Sequence, residues 1–318
     1  MLQHDLFVQQ QPEEAAVAVA VRASATYSVS PRYTVGEVED CLHLLGGREL
    51  VSVGLPSAQA VAALARFLSS PFVGTDIDAA FAASAPSVRR LLEELVDRQV
   101  LVEAVDAPAS LGPVLDEARR NGGDPVALGE PRDPAHPAPI AVVGSLVSPA
   151  IEQAFWRDGA VRLDDPQAAE LTVAVGTLDE LQELNGRFRA EGRTWLPIAP
   201  FDGRFQLVGP VIVPGVSPCF ECVQRRWGSN TAFAPVYDRV ASSVAPHERD
   251  GGIEAVTGGF ALRYALRWLF AHDWMTASTV LVIEPKVFST TAHPVYRVAR
   301  CSTCGPRPYA GIRYPWRS

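Results

Sequence analysis

Residues 213–222 have the sequence VPGVSPCFEC, and residues 300–305 have the sequence RCSTCG. Each segment contains a Cys-x-x-Cys pair, namely Cys219 with Cys222 and Cys301 with Cys304. Two such pairs supply the four thiolates of the tetrahedral shell that zinc prefers. The halves of a zinc ribbon lie about 15–20 residues apart, whereas residues 223–300 separate these pairs. The spacing therefore predicts a structural Zn²⁺ joining two distant segments of one larger domain. Two redox dithiols or a disulfide pair are the alternatives.

Composition limits the classes of function. The chain has 318 residues, 47% hydrophobic and 20% charged, which allows hydrophobic cores and suggests about two domains. A net charge of −8 argues against a broad nucleic-acid-binding surface. No apolar run reaches the roughly 18 residues of a membrane helix. Residues 1–22 lack the basic start and apolar stretch of a secretion signal. We therefore expect a cytoplasmic protein without a membrane or nucleic-acid partner.

Residues 1–106 are predicted to form a winged helix-turn-helix with preceding strands. Alternating valines, at Val17, Val19 and Val21, indicate strands within residues 14–53. Residues 57–105 show three helical segments and a final strand, Gln99 to Val105. The third helix follows from apolar residues at helical spacing, which are Val88, Leu91, Leu92, Leu95 and Val96.

The third helix of this unit carries mixed charge. It contains three arginines and three acidic residues, which are Arg89, Arg90, Arg98, Glu93, Glu94 and Asp97. Its face is nearly neutral and would attract phosphates weakly. Strands placed before the helices instead favour a peptide-docking groove, in which an extended ligand adds a strand to a sheet edge.

Residues 107–137 are rich in proline and glycine and are predicted to be a linker, interrupted by a short helix, Leu115 to Arg120. Residues 138–318 form the second domain. Strand and helix segments alternate at Ile140–Val143, Leu171–Val175, Leu178–Arg189 and Thr194–Ala199, which predicts a parallel α/β sheet. Further strands are predicted at Phe205–Val213, Thr279–Ile283 and Val295–Val298, and a long helix at Ile253–Ala271.

The order of these parts over residues 194–304 resembles the ubiquitin-activating superfamily, the ThiF/MoeB-like adenylating fold. In that family a strand ends in VPG-x-x-PC-x-x-C, a long glycine-bearing helix follows, and a second C-x-x-C closes the fold. Here the helix contains Gly258-Gly259, and both cysteine pairs match.

The chain departs from the family's ATP-binding pattern. The loop after the first strand, Gly144 to Pro149, has one glycine, and the sole lysine, Lys286, follows the long helix. Asp179 is interpreted as a helix N-terminal residue rather than a magnesium ligand. The resemblance thus implies a shortened, degenerate ThiF-like (Rossmann-like) domain without catalytic residues.

A winged-helix unit joined to such a domain resembles the Ocin-ThiF-like or cyclodehydratase "C protein" partners of thiazole/oxazole-modified microcin (TOMM) and thiopeptide biosynthesis. Their N-terminal unit is similar to PqqD, a precursor-recognition element for ribosomally made, post-translationally modified peptides (RiPPs). The resemblance implies a non-catalytic scaffold that delivers a precursor peptide to a YcaO-type cyclodehydratase for azoline formation. A homodimer is left open. The alternatives are an active ATP-dependent peptide-adenylating enzyme and a winged-helix transcription regulator.

The resemblance also implies where a precursor's leader peptide binds. The leader would add to the edge strand near Tyr33 to Val38 and face the third helix. The expected contact residues are Tyr33, Val35, Val38, Arg89, Arg90 and Arg98. The arginines would meet acidic leader residues, or else pair with acidic residues along their own helix.

Overall fold

The computed structural model describes residues 20–38, 40–47, 49–104, 111–120, 132–230 and 250–305. The chain forms two compact units, residues 1–104 and residues 105–318, and each has a hydrophobic core of its own. Val17, Val19 and much of the predicted linker lie outside the described residues. Within the described ranges, no helix combines the length and apolar character needed to cross a bilayer.

The first unit combines small antiparallel sheets with three helices. Its strands are β1 (Thr26–Val29), β2 (Thr34–Val38), β3 (Cys41–Gly46), β4 (Glu49–Gly54), β5 (Phe72–Val73) and β6 (Leu101–Glu103). Its helices are α1 (Ala58–Leu68), α2 (Asp76–Phe81) and α3 (Ala85–Asp97). One sheet has the order β2-β3-β4 and the other the order β5-β1-β6. The predicted order of strands, three helices and a final strand is confirmed.

Local chemistry explains these elements. Leu42 and Leu44 alternate along β3 and are buried, as the period of two requires. Ser57 caps α1 by accepting a hydrogen bond from the Ala60 N–H at 3.2 Å. The final strand is shorter than predicted because Gln99 has φ +56°, a left-handed conformation that a strand does not use. It pairs with β1 from the start of the unit.

The second unit is built on a seven-stranded sheet of order β13-β12-β11-β10-β9-β7-β8. Its strands are β7 (Ala138–Val143), β8 (Val161–Leu163), β9 (Leu171–Val175), β10 (Trp195–Ile198), β11 (Gln206–Val208), β12 (Thr279–Glu284) and β13 (Ser289–Pro294). Its helices are α4 (Leu111–Arg120), α5 (Pro149–Trp156), α6 (Leu178–Glu191), α7 (Phe220–Ser229), α8 (Gly251–Ala271) and α9 (Trp274–Ser278). Strands β7, β9 and β10 are parallel, as predicted, and β8, which the sequence pattern did not predict, pairs in parallel with β7. Strands β11 to β13 are antiparallel.

Two predicted strands in this unit need correction. Val295 to Val298 is not a strand, since the strand ends at Pro294 and the buried Val295 donates its N–H to the Ser278 carbonyl instead. Strand β13 lacks an apolar pattern because it lies at the sheet edge with most side chains exposed. The strand predicted to reach Val213 ends at Val208, because Gly209 has φ +81° and Pro210 has no N–H for a ladder.

Helix packing explains why the long helix has a glycine at position 258. A Cβ added at Gly258 of α8 would lie 3.0 Å from the Cα of Ile151, so glycine lets α5 and α8 approach closely. Helix α4 packs against the same long helix, with Glu117 paired to Arg263 and Arg267. Residues 111–120 are therefore part of the second unit.

Candidate metal centre and the closed loop after strand β7

The structure brings all four paired cysteines together, although the two pairs are far apart in the chain. Their Sγ atoms all lie within 4.8 Å of one another. Three of the sulfur–sulfur distances are 3.8 Å for Cys219–Cys222, 3.6 Å for Cys219–Cys301 and 3.4 Å for Cys222–Cys304. All four side chains are buried and free of disulfides. This set of sulfur ligands could hold a metal ion.

Each knuckle is shaped by its own backbone. In the first, the Ser217 hydroxyl accepts a hydrogen bond from the Val213 N–H at 2.8 Å, which closes the turn before Cys219. In the second, the Gly305 N–H donates to the Cys301 carbonyl at 2.8 Å. A Cβ at Gly305 would lie 2.4 Å from that carbonyl oxygen, so this turn requires glycine.

Glu221 connects the two knuckles. Its carboxylate accepts hydrogen bonds from the Thr303 N–H at 2.9 Å and from the Ser302 hydroxyl, and it pairs with Arg225 at 2.5 Å. Burial acts to raise the pKa of Glu221, but the hydrogen bonds outweigh it and lower the pKa to about 2. Sequence reasoning missed this residue, and its position between the cysteines of the first pair was the available signal.

The thiol environment places negative charge at Cys222. A hydrogen bond from the Cys219 thiol and another from the Val298 N–H at 3.3 Å help lower the pKa of Cys222 to about 4. The same interaction with Cys222, together with burial, raises the pKa of Cys219. Burial raises the pKa of Cys301 to about 11. A thiolate in a buried cluster attracts a cation, which fits a metal centre.

A second feature lies at the carboxyl end of β7. Gly144 has φ +119°, and a Cβ there would lie 2.2 Å from the Val175 carbonyl oxygen. The next residue, Ser145, donates its N–H to Glu180 at 2.9 Å and its hydroxyl to the same carboxylate at 2.5 Å. Glu180 also forms a capping box with Thr177 at the start of α6. A carboxylate of the chain itself thus closes the loop after β7.

Sequence reasoning found the single glycine in this loop but not Glu180. Asp179 is exposed in the first turn of α6, in agreement with its interpretation as a helix N-terminal residue.

The predicted peptide-contacting residues on β2 and just before it differ in exposure. Strand β2 lies at the edge of its sheet. Tyr33 is buried and donates its hydroxyl to Glu49 at 2.7 Å. Val35 is half-buried and packs on the core, whereas Val38 is 58% exposed. Of these three side chains, Val38 is the one that is largely accessible.

Two of the three predicted arginines on α3 and at its C-terminal cap have protein partners. Arg98 pairs with Glu94 at 2.7 Å along the helix, which is the alternative foreseen for it. Arg89 pairs with Asp78 of α2 at 3.1 Å. Arg90 is exposed and forms no salt bridge within the described part of the chain.

Solved structures share this fold over most of the chain. A heterocyclase in complex with substrate and cofactor matches with a TM-score of 0.64 and 17% identity, covering 89% of this chain and 40% of that one. The heterocyclase TruD matches with a TM-score of 0.65 and 18% identity, covering 88% and 43%. E. coli MccB, solved with AMPCPP and MccA, matches with a TM-score of 0.51 and 11% identity, covering 88% and 100%.

The chain therefore spans less than half the length of the heterocyclases that it matches. No family model and no curated protein matches the sequence. Two resemblances are confirmed at the level of the fold. The one to ThiF-like proteins was stated from the cysteine motifs and the long helix, and the one to TOMM proteins from the joining of the N-terminal unit to that domain.

Proposed function

We propose that this protein is a non-catalytic scaffold of RiPP biosynthesis, which binds a precursor's leader peptide and delivers the precursor to a YcaO-type cyclodehydratase. The observation that carries the proposal is the fold shared with two heterocyclases over 88–89% of this chain. The chain spans about two fifths of the length of these heterocyclases, and the proposal assigns ring formation to the cyclodehydratase.

The loop after β7 argues against adenylation by this protein. In α/β folds that bind nucleotides, backbone N–H groups after the first strand hold the phosphates. Here the Ser145 N–H is already bound to Glu180, whose negative charge would repel a phosphate. The sole lysine, Lys286, follows β12, and three strands separate β12 from β7 in the sheet. No lysine is therefore placed near this loop.

The first unit supports leader binding. Its first four strands precede three helices, which is the order expected of the recognition element, and the sheet β2-β3-β4 has two edges at which an extended peptide could add a strand. Helix α1 packs against β2 and β3. On β4, the inward-facing Val51 and Val53 stay half-buried, as do Val88 and Leu91 of α3.

We propose that the leader docks against these half-buried apolar side chains of β4 and α3, in a groove that they would form together, rather than at the β2 edge with Tyr33, Val35 and Val38. Apolar leader side chains would fill the partly covered surface, while backbone hydrogen bonds set the register. Among the three predicted arginines, Arg90 is the one that forms no salt bridge with a described residue, and it would meet an acidic leader residue.

The metal in the cysteine cluster is proposed to be Zn²⁺ with a structural role. Zn–S bonds of about 2.3 Å in a tetrahedron put neighbouring sulfurs about 3.8 Å apart. The three distances of 3.4 to 3.8 Å agree with this geometry. Four cysteine ligands leave no position for a water, so the metal would fasten the fold rather than catalyse.

One reconstitution tests the function. The full chain, a precursor peptide and a YcaO-type cyclodehydratase are combined with ATP, and loss of one water per ring is followed by mass spectrometry. Ring formation that depends on this chain and on the leader supports the proposal. Rings formed equally fast without this chain would refute it.

A second candidate is an active adenylating enzyme, favoured by the match to the whole length of MccB, which was solved with AMPCPP. Release of AMP or pyrophosphate by the isolated chain with a peptide would establish it. A transcription regulator would instead shift a promoter DNA fragment in a gel.

A further inference from the structure

An open cleft of about 580 Å³ lies beside the cysteine cluster in the second unit. Three arginines line it, namely Arg189, Arg297 and Arg300, together with Gly215 and Cys304. None of the described residues that line it is acidic. The chain as a whole carries a net charge of −8, so this concentration of positive charge is local. A cleft lined by one sign of charge focuses its field on an ion of the opposite sign.

The arginines are differently engaged. Arg297 is held by hydrogen bonds that it donates to the Ser217 carbonyl at 3.2 Å and to the Gly215 carbonyl. Arg189 and Arg300 form no salt bridge with any described residue. Arg300 also has φ +60°, a left-handed conformation that non-glycine residues adopt rarely and that recurs where ligands are held.

A smaller chamber of about 10 Å³, room for one water, shares Arg189, Gly215 and Cys304 with the cleft. Asn185 and Trp195 line it and are 1% and 0% exposed. The Asn185 Oδ1 accepts the Phe220 N–H at 3.0 Å, which leaves its Nδ2 as a donor. This Nδ2 and the Trp195 Nε1 are buried without a partner among the described residues. Both unpaired groups are hydrogen-bond donors. A ligand rich in acceptor oxygens, or a water bound to such a ligand, would satisfy them.

We propose that this cleft binds an acidic peptide segment of a partner protein through its carboxylates. Guanidinium groups bind carboxylates with two parallel hydrogen bonds, which suits Arg189 and Arg300. The described lining has no aromatic ring on which a nucleobase could stack. The net charge opposes a phosphate polymer.

The chain's own C-terminal residues do not fit this cleft by charge. Residues 306–318 contain Arg307, Arg313 and Arg317 and no acidic residue. The cleft belongs to the second unit, so the proposal does not depend on leader binding by the first.

The test measures fluorescence polarisation of a labelled hexaglutamate peptide with the full chain at low salt. We expect Arg189→Gln combined with Arg300→Gln to weaken binding about tenfold or more. The matched control is Arg187→Gln, on the same helix but paired with Glu191 outside the cleft, and it should bind as the wild type.

Metal content and thermal unfolding of each variant are measured alongside. Equal binding by the double variant would overturn the proposal. So would displacement of the peptide by ATP or duplex DNA at concentrations where unlabelled hexaglutamate is ineffective. Loss of metal in the double variant with unchanged peptide binding would show instead that the arginines balance the thiolate charge.

Discussion

Glu180 and Ser145, 35 residues apart in the chain, are joined by two hydrogen bonds that both end on the Glu180 carboxylate. The contact ties the start of α6 to the loop after β7. A nucleotide-binding loop offers such N–H and hydroxyl donors to phosphate, whereas here the donors of Ser145 bind Glu180.

The first prediction is that the isolated protein does not bind ATP specifically. The Glu180 carboxylate occupies the loop and would repel the phosphates. Calorimetry with ATP and Mg²⁺ should give no saturable heat, with E. coli MccB, which was solved with ATP, as the positive control. Micromolar binding by this chain would contradict the proposal of a non-catalytic scaffold.

The second prediction concerns the stability that Glu180 provides. Glu180→Ala removes the capping box and the bonds from Ser145, so the free energy of unfolding should fall by about 1–3 kcal/mol. Urea unfolding at neutral pH measures this change in the free energy of unfolding. Glu183→Ala, an exposed position on the same helix, should change it by less than about 0.5 kcal/mol. Equal effects of the two substitutions would contradict this role.

The third prediction is one tightly held zinc per chain. Cys301→Ser should lose the metal and give insoluble protein, because binding of a structural metal is coupled to folding. Cys41→Ser lies outside the cluster and should keep both metal and solubility. Elemental analysis of the purified protein measures the zinc content, and a value well below one zinc per chain would refute the site.

The fourth prediction is that Glu221→Gln loosens the second knuckle. Replacing a charged acceptor of several hydrogen bonds should lower the free energy of unfolding by about 1.5–3 kcal/mol at neutral pH. Since the folded-state pKa of Glu221 is about 2 and its ordinary value is 4.5, this contribution should persist above pH 4.5. It should disappear as the pH falls from 4.5 towards 2. Chemical unfolding of both proteins across this range measures the difference.

The fifth prediction locates the leader peptide. Val53→Asp places a charge in the proposed groove and should weaken binding of a labelled leader about tenfold or more, whereas Val38→Asp on the β2 edge should not. Arg90→Glu, at an exposed position, tests the same groove without disturbing the core.

Fluorescence polarisation with the full chain gives the affinities, and thermal unfolding checks each fold. Loss of binding in Val38→Asp alone would move the groove to β2. Full binding by all three variants would exclude both edges.

Features that depend on local spacing could be predicted from the sequence. The cysteine pairs, the apolar face of α3 and the parallel strands β7, β9 and β10 follow from short-range patterns of ligand spacing and hydrophobicity. Strand β13 could not be predicted, because at a sheet edge the backbone partner rather than an apolar pattern determines the strand.

Only the tertiary structure decided which distant groups meet. Glu180 reaches Ser145 because α6 begins beside the end of β7. The arginine cleft joins residues from α6 and from the segment before Cys301. Arg89 pairs across helices with Asp78. Such contacts depend on how the helices and strands pack, and no spacing along the chain encodes them. The four-cysteine cluster could be predicted, because a metal that prefers four sulfur ligands requires the two pairs to meet.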